Sequence, residues 1–338
     1  MLATRGKFPA GSFFMKRRIF IALSMLVGLA IFITVLIQNF EVFQTLGQLN
    51  YIYFIPYLFF SFLIVLIHVL RWKLILFSHN KRINFFQLLL YKISGFSVSY
   101  FTPSAQIGGE PVRAWFLKKH DMKFHQGLSA VMIDKFIEIA ISVLLGIVGF
   151  FFLILKFTVS DNTTLLILFA LIFAVIGVLV FYKRMIDKKP FISYFFRFSK
   201  HKKIFKIRRT MEKSEKMVSL FFTRKKKMLL ASFLLTMINF FIMFLEFHFL
   251  FMVFGITSDI GKIFMVVTVV GISYIMPIPA ALGVMEVSEA GLFSILGLEP
   301  STGVGLSLIV RFKDSIIALL GLGYLANKGI KALGLSKK

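Results

Sequence analysis

Cysteine is absent from this 338-residue chain, which rules out disulfides, thiolate nucleophiles and cysteine-based metal sites. Acidic residues are scarce too: fifteen Asp and Glu stand against forty Lys and Arg, a formal charge of +25. In a soluble protein that imbalance would point to nucleic acid. Charge of either sign is itself sparse, however, at 16% of residues against 58% hydrophobic, with a mean hydropathy of +0.86. Soluble domains carry about a quarter charged residues, so this is a membrane composition. The bases that cluster between apolar runs are topology determinants and not a nucleic-acid surface. Three signatures are missing as well: G-x-x-x-x-G-K-[ST], H-E-x-x-H and G-x-S-x-G. Transport driven by ATP would therefore need a separate subunit, and neither a cofactor nor a metal site is expected.

What is present is a series of apolar runs. Six are long enough to cross a hydrocarbon core of about 30 Å at about 1.5 Å per residue: roughly 19–38, 51–70, 128–155, 163–182, 228–254 and 303–325. Two more, about 83–118 and 262–298, are broken near their middles by proline and glycine. Half of either would give a helix of about 15 residues, about 22 Å long and too short to cross. Both read as re-entrant hairpins that enter and leave on one side. The expected fold is all-α, a single transmembrane domain over 1–338 forming a polytopic integral membrane bundle of about six full spans plus two hairpins. The first run follows "MKRR" with no small-residue cleavage site after it, so it reads as a retained signal anchor. Residues 1–14 read as a polar extension, with Met15 an alternative start.

The charges fit this count. With the N-terminus inside, the inside segments 71–82, 118–127, 183–227 and the tail "NKGIKALGLSKK" are all basic. The outside segments 39–50, 156–162, 255–262 and 299–302 carry Glu41, Asp161, Asp259 and Glu299 against Lys156 and Lys262. The positive-inside rule is met at every loop, which predicts a cell (inner) membrane protein with both termini cytoplasmic. The 183–227 segment holds seventeen Lys and Arg against three acids, interleaved with Phe191, Phe195, Phe196, Phe205, Phe221 and Phe222. It reads either as an interfacial helix, each base contributing about 1 kcal/mol near an anionic leaflet, or as a solvated loop.

The two broken regions resemble each other. The first runs Ser99-Tyr100, Pro103, Gly108, Gly109, then Glu110-Pro-Val-Arg113-Ala114; the second runs Ser273-Tyr274, Pro277, Pro279, Gly283, then Glu286-Val-Ser-Glu289-Ala290. The shared frame is S-Y-x-x-P, a glycine, then E-x-x-[R/E]-A. An odd number of spans lies between the copies, so the hairpins are expected to enter from opposite faces as an inverted repeat, with their helix breaks meeting near the midplane. A helix start carries unsatisfied N–H groups and attracts anions. Backbone outside a helix must be buried or line a wet cavity.

The motifs "GGEPVRAWFL" and "PIPAALGVMEVSEAGL" resemble the lysylphosphatidylglycerol synthase transmembrane family, a flippase-like membrane domain also found alone. The resemblance is weaker at Asp134-Lys135 and at Arg311. It implies a bundle that moves a lipid or a lipid-linked anion between leaflets, with Glu110, Arg113, Glu286 and Arg311 as the polar residues carried over. Ala280 and Ala281 stand where that family often has glycine. No soluble aminoacyl-transferase domain follows, so synthesis of lysyl-lipid by this chain alone is not expected.

An ionised residue at the centre of a membrane helix costs about 2.5–3.5 kcal/mol on insertion scales, so each needs a partner or a function. Glu110 and Arg113 share a helix face; they read either as a salt bridge that holds the hairpin or as a phosphate contact, with Glu110 orienting Arg113 or titrating. Asp134, Lys135 and Glu138 carry a net negative charge able to accept Arg113 or Arg311, or else form a solvated interfacial cluster. Glu286 and Glu289 have no base nearby in sequence, and Arg311 is the expected partner. Tyr100 and Tyr274, beside the breaks, complete the candidate substrate-binding set. Glu246 and His248 point to different faces, and His68 reads as interfacial with Arg71. The expected function is translocation of an anionic or zwitterionic phospholipid or polyprenyl-phosphate-linked lipid, with membrane lipids as partners. The alternatives are an intramembrane transferase or hydrolase using Glu110 or Glu286 as base, and a scaffold for a lipid-synthesising enzyme. A second copy of the chain is a further candidate partner.

Overall fold

The computed structural model describes residues 10–104, 106–156, 161–189, 191–195 and 202–332, and every regular element among them is helical. In order these are α1 (Ala10–Gln38), α2 (Val42–Gly47), α3 (Phe54–Ser78), α4 (Phe85–Phe101), α5 (Glu110–Phe116), α6 (Phe124–Lys156), α7 (Asp161–Ile186), α8 (Ile192–Phe195), α9 (Lys202–Arg224), α10 (Lys226–Val253), α11 (Ile260–Ile275), α12 (Val284–Ile295) and α13 (Pro300–Ala332). The expectations for residues 1–9, Phe196 and residues 333–338 lie outside the described residues. Three stretches, Tyr51–Ser78, Leu168–Ile186 and Lys226–Val253, are long and apolar enough to cross a membrane unaided. α6 and α13 are 33 residues each, but their first halves carry Asp134, Lys135 and Glu138 in one and Arg311, Lys313 and Asp314 in the other. Exposed apolar side chains such as Phe59, Phe62, Phe169, Phe173, Phe312 and Leu320 coat the outside. This is the surface of a multi-pass bundle that faces acyl chains and not water.

Two hairpins interrupt the long helices, and both are built by the same local chemistry. Asn84 opens α4 by accepting the Phe86 N–H (2.9 Å), and Asp259 opens α11 by accepting the Lys262 N–H (3.0 Å), each satisfying a donor the helix leaves orphaned. Both helices stop at a residue before proline, Thr102 and Met276, and both residues are extended. The proline ring disfavours helical backbone at the position before it. The returning arms α5 and α12 start after glycine. A side chain on Gly109 would sit 1.8 Å from the Gly95 carbonyl oxygen, so α4 and α5 touch backbone to backbone. Gly283 has φ +80° and lies against α1, where an added Cβ would meet the Gly28 carbonyl at 2.7 Å. The second turn also holds Ala280 and Ala281 at φ 56° and 51°, in the left-handed region that costs an L-residue about 1–2 kcal/mol. That is the physical reason a glycine suits these two positions.

The buried side chains fall into two main groups. One gathers Trp72, Ile75, Leu88, Phe116, Ile133 and Phe221 from α3, α4, α5, α6 and α9; the other gathers Phe247, Phe251, Val266, Met285, Phe293 and Leu306 from α10 to α13. Between them, α4 lies on α13, with the Ser97 hydroxyl donating to the Ala318 carbonyl (2.6 Å) and Ser94 to the Gly321 carbonyl (3.4 Å). Small hydroxyl residues let membrane helices approach this closely.

Two sequence expectations change. The span expected to end at residue 70 continues as α3 to Ser78, so Arg71 and Trp72 are buried helix residues and not interfacial ones. The 183–227 segment is largely helical, and the apolar side of α9 packs on protein: Val218, Phe221 and Phe222 are buried beside α6 and α7. The Glu215 carboxylate, also buried, accepts the backbone N–H groups of Phe191 (3.0 Å) and Ser193 (3.3 Å), pinning the start of α8. Lys206, Arg209, Lys213 and Lys216 stay exposed on the other side of α9.

Candidate functional site

Asp134 is the centre of the first polar cluster. It is 1% exposed and accepts three cations: Arg71 Nε at 2.7 Å, Arg113 Nη2 at 2.7 Å and Lys92 Nζ at 3.0 Å. These come from α3, α5 and α4, so the hairpin is tied to the helices on both sides of it. Arg71 Nη1 donates to Thr236 Oγ1 on α10 (3.0 Å), and its Nη2 donates to Glu138 (3.0 Å) and lies 3.2 Å from His68 Nδ1. Glu138 takes Lys135 at 3.3 Å, and Glu110 takes Arg113 Nη1 at 3.0 Å. The Arg113 guanidinium stacks on the Trp72 ring, 4.3 Å from its centroid. Four cations thus share three carboxylates, and Arg113 Nε is a buried donor without a partner among the described residues. The cluster opens outward through Glu110, Lys92, Glu138 and Lys135, which are partly exposed.

The second hairpin builds a different set. Arg311 Nη2 on α13 pairs with the Glu286 carboxylate at 2.7 Å and donates to the Ala281 carbonyl at 3.1 Å. Glu286 reaches back to the Gly283 N–H at 3.0 Å, so one carboxylate both caps α12 and holds Arg311 against the strained turn. Nearby, Lys313 Nζ donates to Glu246 on α10 at 2.6 Å, and Glu246 also accepts the Ser61 hydroxyl of α3. Tyr274 donates to Asp314, and the Tyr100 hydroxyl of α4 lies 3.0 Å from Ser315 Oγ and 3.4 Å from the Arg311 carbonyl. Glu289, 0% exposed, has no hydrogen-bond partner on either oxygen among the described residues. Here two cations face four carboxyl groups.

The candidate residues therefore separate. Glu110, Arg113, Asp134, Lys135 and Glu138 converge, and of the two partners expected for Asp134 the structure selects Arg113. Burial of Asp134 removes the solvated-cluster reading. Glu286, Arg311, Tyr100 and Tyr274 gather around the second turn, whereas Arg113 does not reach that hairpin; its charge is met by α6 instead. Glu289 is not paired with Arg311. Arg71, Lys92, Glu246 and Lys313 belong to the two clusters and are not singled out by the motifs. Their signal is the cost of an unpaired charge in an apolar helix, which applies to Glu246 inside α10 as it does to Asp134 inside α6. Among the described residues no three His, Asp or Glu side chains converge to hold a metal ion.

Comparison with known proteins adds the following. Residues 19–321 match the family model described as the lysylphosphatidylglycerol synthase TM region. A UPF0104 membrane protein of Pyrococcus horikoshii is 23% identical over 288 residues, covering 80% of this chain and 84% of that protein. No solved structure gives a significant match.

Proposed function

As the chain belongs to the lysylphosphatidylglycerol synthase transmembrane family, we propose that it moves an anionic or zwitterionic lipid between leaflets, without ATP hydrolysis of its own. The observation that carries this reading is the cation surplus around Asp134. A buried cluster with one more base than acid, and with an unpartnered guanidinium donor, is short of one negative charge. A lipid phosphate supplies that charge, and a guanidinium is suited to hold it. The exposed flank of the cluster gives a headgroup a way in, while the acyl chains stay in the bilayer.

The duplicated frame supports the transport half of the reading. Each hairpin follows a long helix (α3, α10) and precedes a 33-residue helix (α6, α13). In the proposed arrangement the halves are inverted in the membrane, both termini are cytoplasmic, and the basic side of α9 lies at the inner leaflet of the cell membrane. Movement of one half against the other would then open the site alternately to each face. Fluorescent lipid in proteoliposomes provides the test. The expected result is accelerated exchange of an anionic lipid between leaflets. An unchanged distribution across several anionic lipids overturns the reading.

A further inference from the structure

The second cluster contains one group that lipid binding does not use. Glu289 lies on α12 in the short arm of the second hairpin, fully buried, with both carboxyl oxygens unpartnered. Its backbone is pressed against α13: a Cβ added to Gly303 would sit 2.5 Å from the Glu289 carbonyl oxygen, so the arm is packed tightly on that helix at this level. An ionised carboxylate in such a place has neither water nor a counter-charge, and a buried charge persists only when paired or when it is neutralised.

The neighbours supply no counter-charge. From α13 come Arg311, Lys313 and Asp314, of which Arg311 is held by Glu286, Lys313 by Glu246, and Asp314 by Tyr274. From α11 come Lys262, near its exposed start, and Tyr274; from α12 itself comes Glu286. α1 carries no titratable residue between Ile19 and Gln38, and α2 carries none. Arg311 nevertheless keeps two buried donors free, Nε and Nη1. Glu289 lies three residues beyond Glu286 on α12, but its backbone meets α13 at Gly303, eight residues and about 12 Å along the helix from Arg311, and the guanidinium is held by Glu286.

We infer that Glu289 is a proton-binding site that couples lipid movement to a proton gradient, its loss of a proton forcing the short arm α12 to shift against α13 because the bare carboxylate has no counter-charge where it lies. In the conformation described here the proton is on Glu289 and Arg311 closes the turn through Glu286 and the Ala281 carbonyl. When the proton leaves toward the opposite aqueous face, Glu289 becomes an unmatched buried carboxylate, which persists only if α12 moves to bring it water or a base. The turn at Ala280 and Ala281, already in left-handed backbone, leads into α12 and moves with it. No covalent bond changes; one proton enters from one face and leaves to the other. The coupling rests on the transport reading above, but the proton site does not.

Two measurements separate them. Infrared difference spectra of the purified protein in lipid at neutral pH should show a protonated carboxyl band that Glu289→Gln removes. Glu289→Met, apolar and of similar length, should remove the same band, and it carries the test if Glu289→Gln folds poorly. Lipid exchange in proteoliposomes should rise several-fold when a pH gradient is imposed on the wild type, and should be the same with and without the gradient in Glu289→Gln. A spectrum with Glu289 ionised, or a gradient response kept by both variants, overturns the inference. If the wild type moves no lipid but the band is present and lost in Glu289→Gln, the transport reading fails and the proton site stands.

Discussion

In the half built around the first hairpin, the helix before the hairpin brings a cation and the helix after it a carboxylate: Arg71 of α3 meets Asp134 of α6. In the half built around the second, the signs are exchanged: Glu246 of α10 meets Lys313 of α13. The returning arms follow suit, with Arg113 of α5 on Asp134 and Glu286 of α12 on Arg311. A membrane interior demands that a charge be matched and is indifferent to which partner carries which sign. Position is therefore repeated while polarity is free to differ. The difference has a use: one half is left with a surplus cation, the other with surplus carboxyl groups.

The comparison breaks most visibly at Asp134. Asp134→Asn leaves Arg71, Lys92 and Arg113 facing one another, and thermal unfolding in micelles is expected to lose about 3–5 kcal/mol, the scale of a broken buried pair. Lys313→Met takes the base from Glu246 and, at the longer distance of 3.8 Å, from Asp314, which keeps the Tyr274 hydroxyl, and should cost less. A larger loss from Lys313→Met would show that the halves are not equivalent. Exchanging the signs, Glu246→Lys with Lys313→Glu, should recover most of the stability that either change alone removes. Lys92→Gln removes the surplus cation while Asp134 keeps two guanidinium partners, so anionic-lipid exchange should fall about tenfold, equivalent to one charge-assisted contact of about 1.4 kcal/mol, with little change in unfolding. The turns give smaller effects. Ala281→Gly should stabilise by up to about 1 kcal/mol by relieving left-handed backbone, whereas Gly283→Ala should destabilise through its φ of +80° and the contact with α1.

The smallest effect concerns His79, just past the end of α3. Burial, reinforced by Lys225, pushes its pKa below the ordinary value, and its Nε2 lies 3.1 Å from Ser129 Oγ. Because the folded state prefers the neutral ring, its contribution is present above about pH 6.5 and is lost as pH falls below that value. His79→Gln should flatten the decline of melting temperature between about pH 7 and about pH 5.

The hairpins were legible because proline, glycine and a glutamate in a fixed frame mark a chain that stops and restarts. Pro103 and Pro277 end their helices where the sequence places the breaks, and the family follows from the same residues. The partners were not legible. Arg71 lies sixty-three residues from Asp134, and Lys313 sixty-seven from Glu246, and no local period reports pairing at such distances. Arg71 was also hidden by its neighbours: Arg71-Trp72-Lys73 looks like a membrane edge, and only the continuation of α3 shows otherwise. For α9 the alternation of basic and apolar residues announces an amphipathic helix, but it cannot distinguish a lipid surface from the sides of α6 and α7, since both are apolar.

The seam between α4 and α13 has a mechanical consequence. Ser94 and Ser97 fasten the first hairpin to the closing helix of the second half, and Tyr100 rests beside Arg311. At the same time α3 sends Ser61 to Glu246 of α10. Each sequence half thus lends an arm to the other, so under the transport reading the moving pieces would not coincide with the two sequence halves. A displacement of α13 would therefore load α4, whose partner α5 holds Arg113, so the two turns share one mechanical connection at the Ser94, Ser97 and Tyr100 contacts.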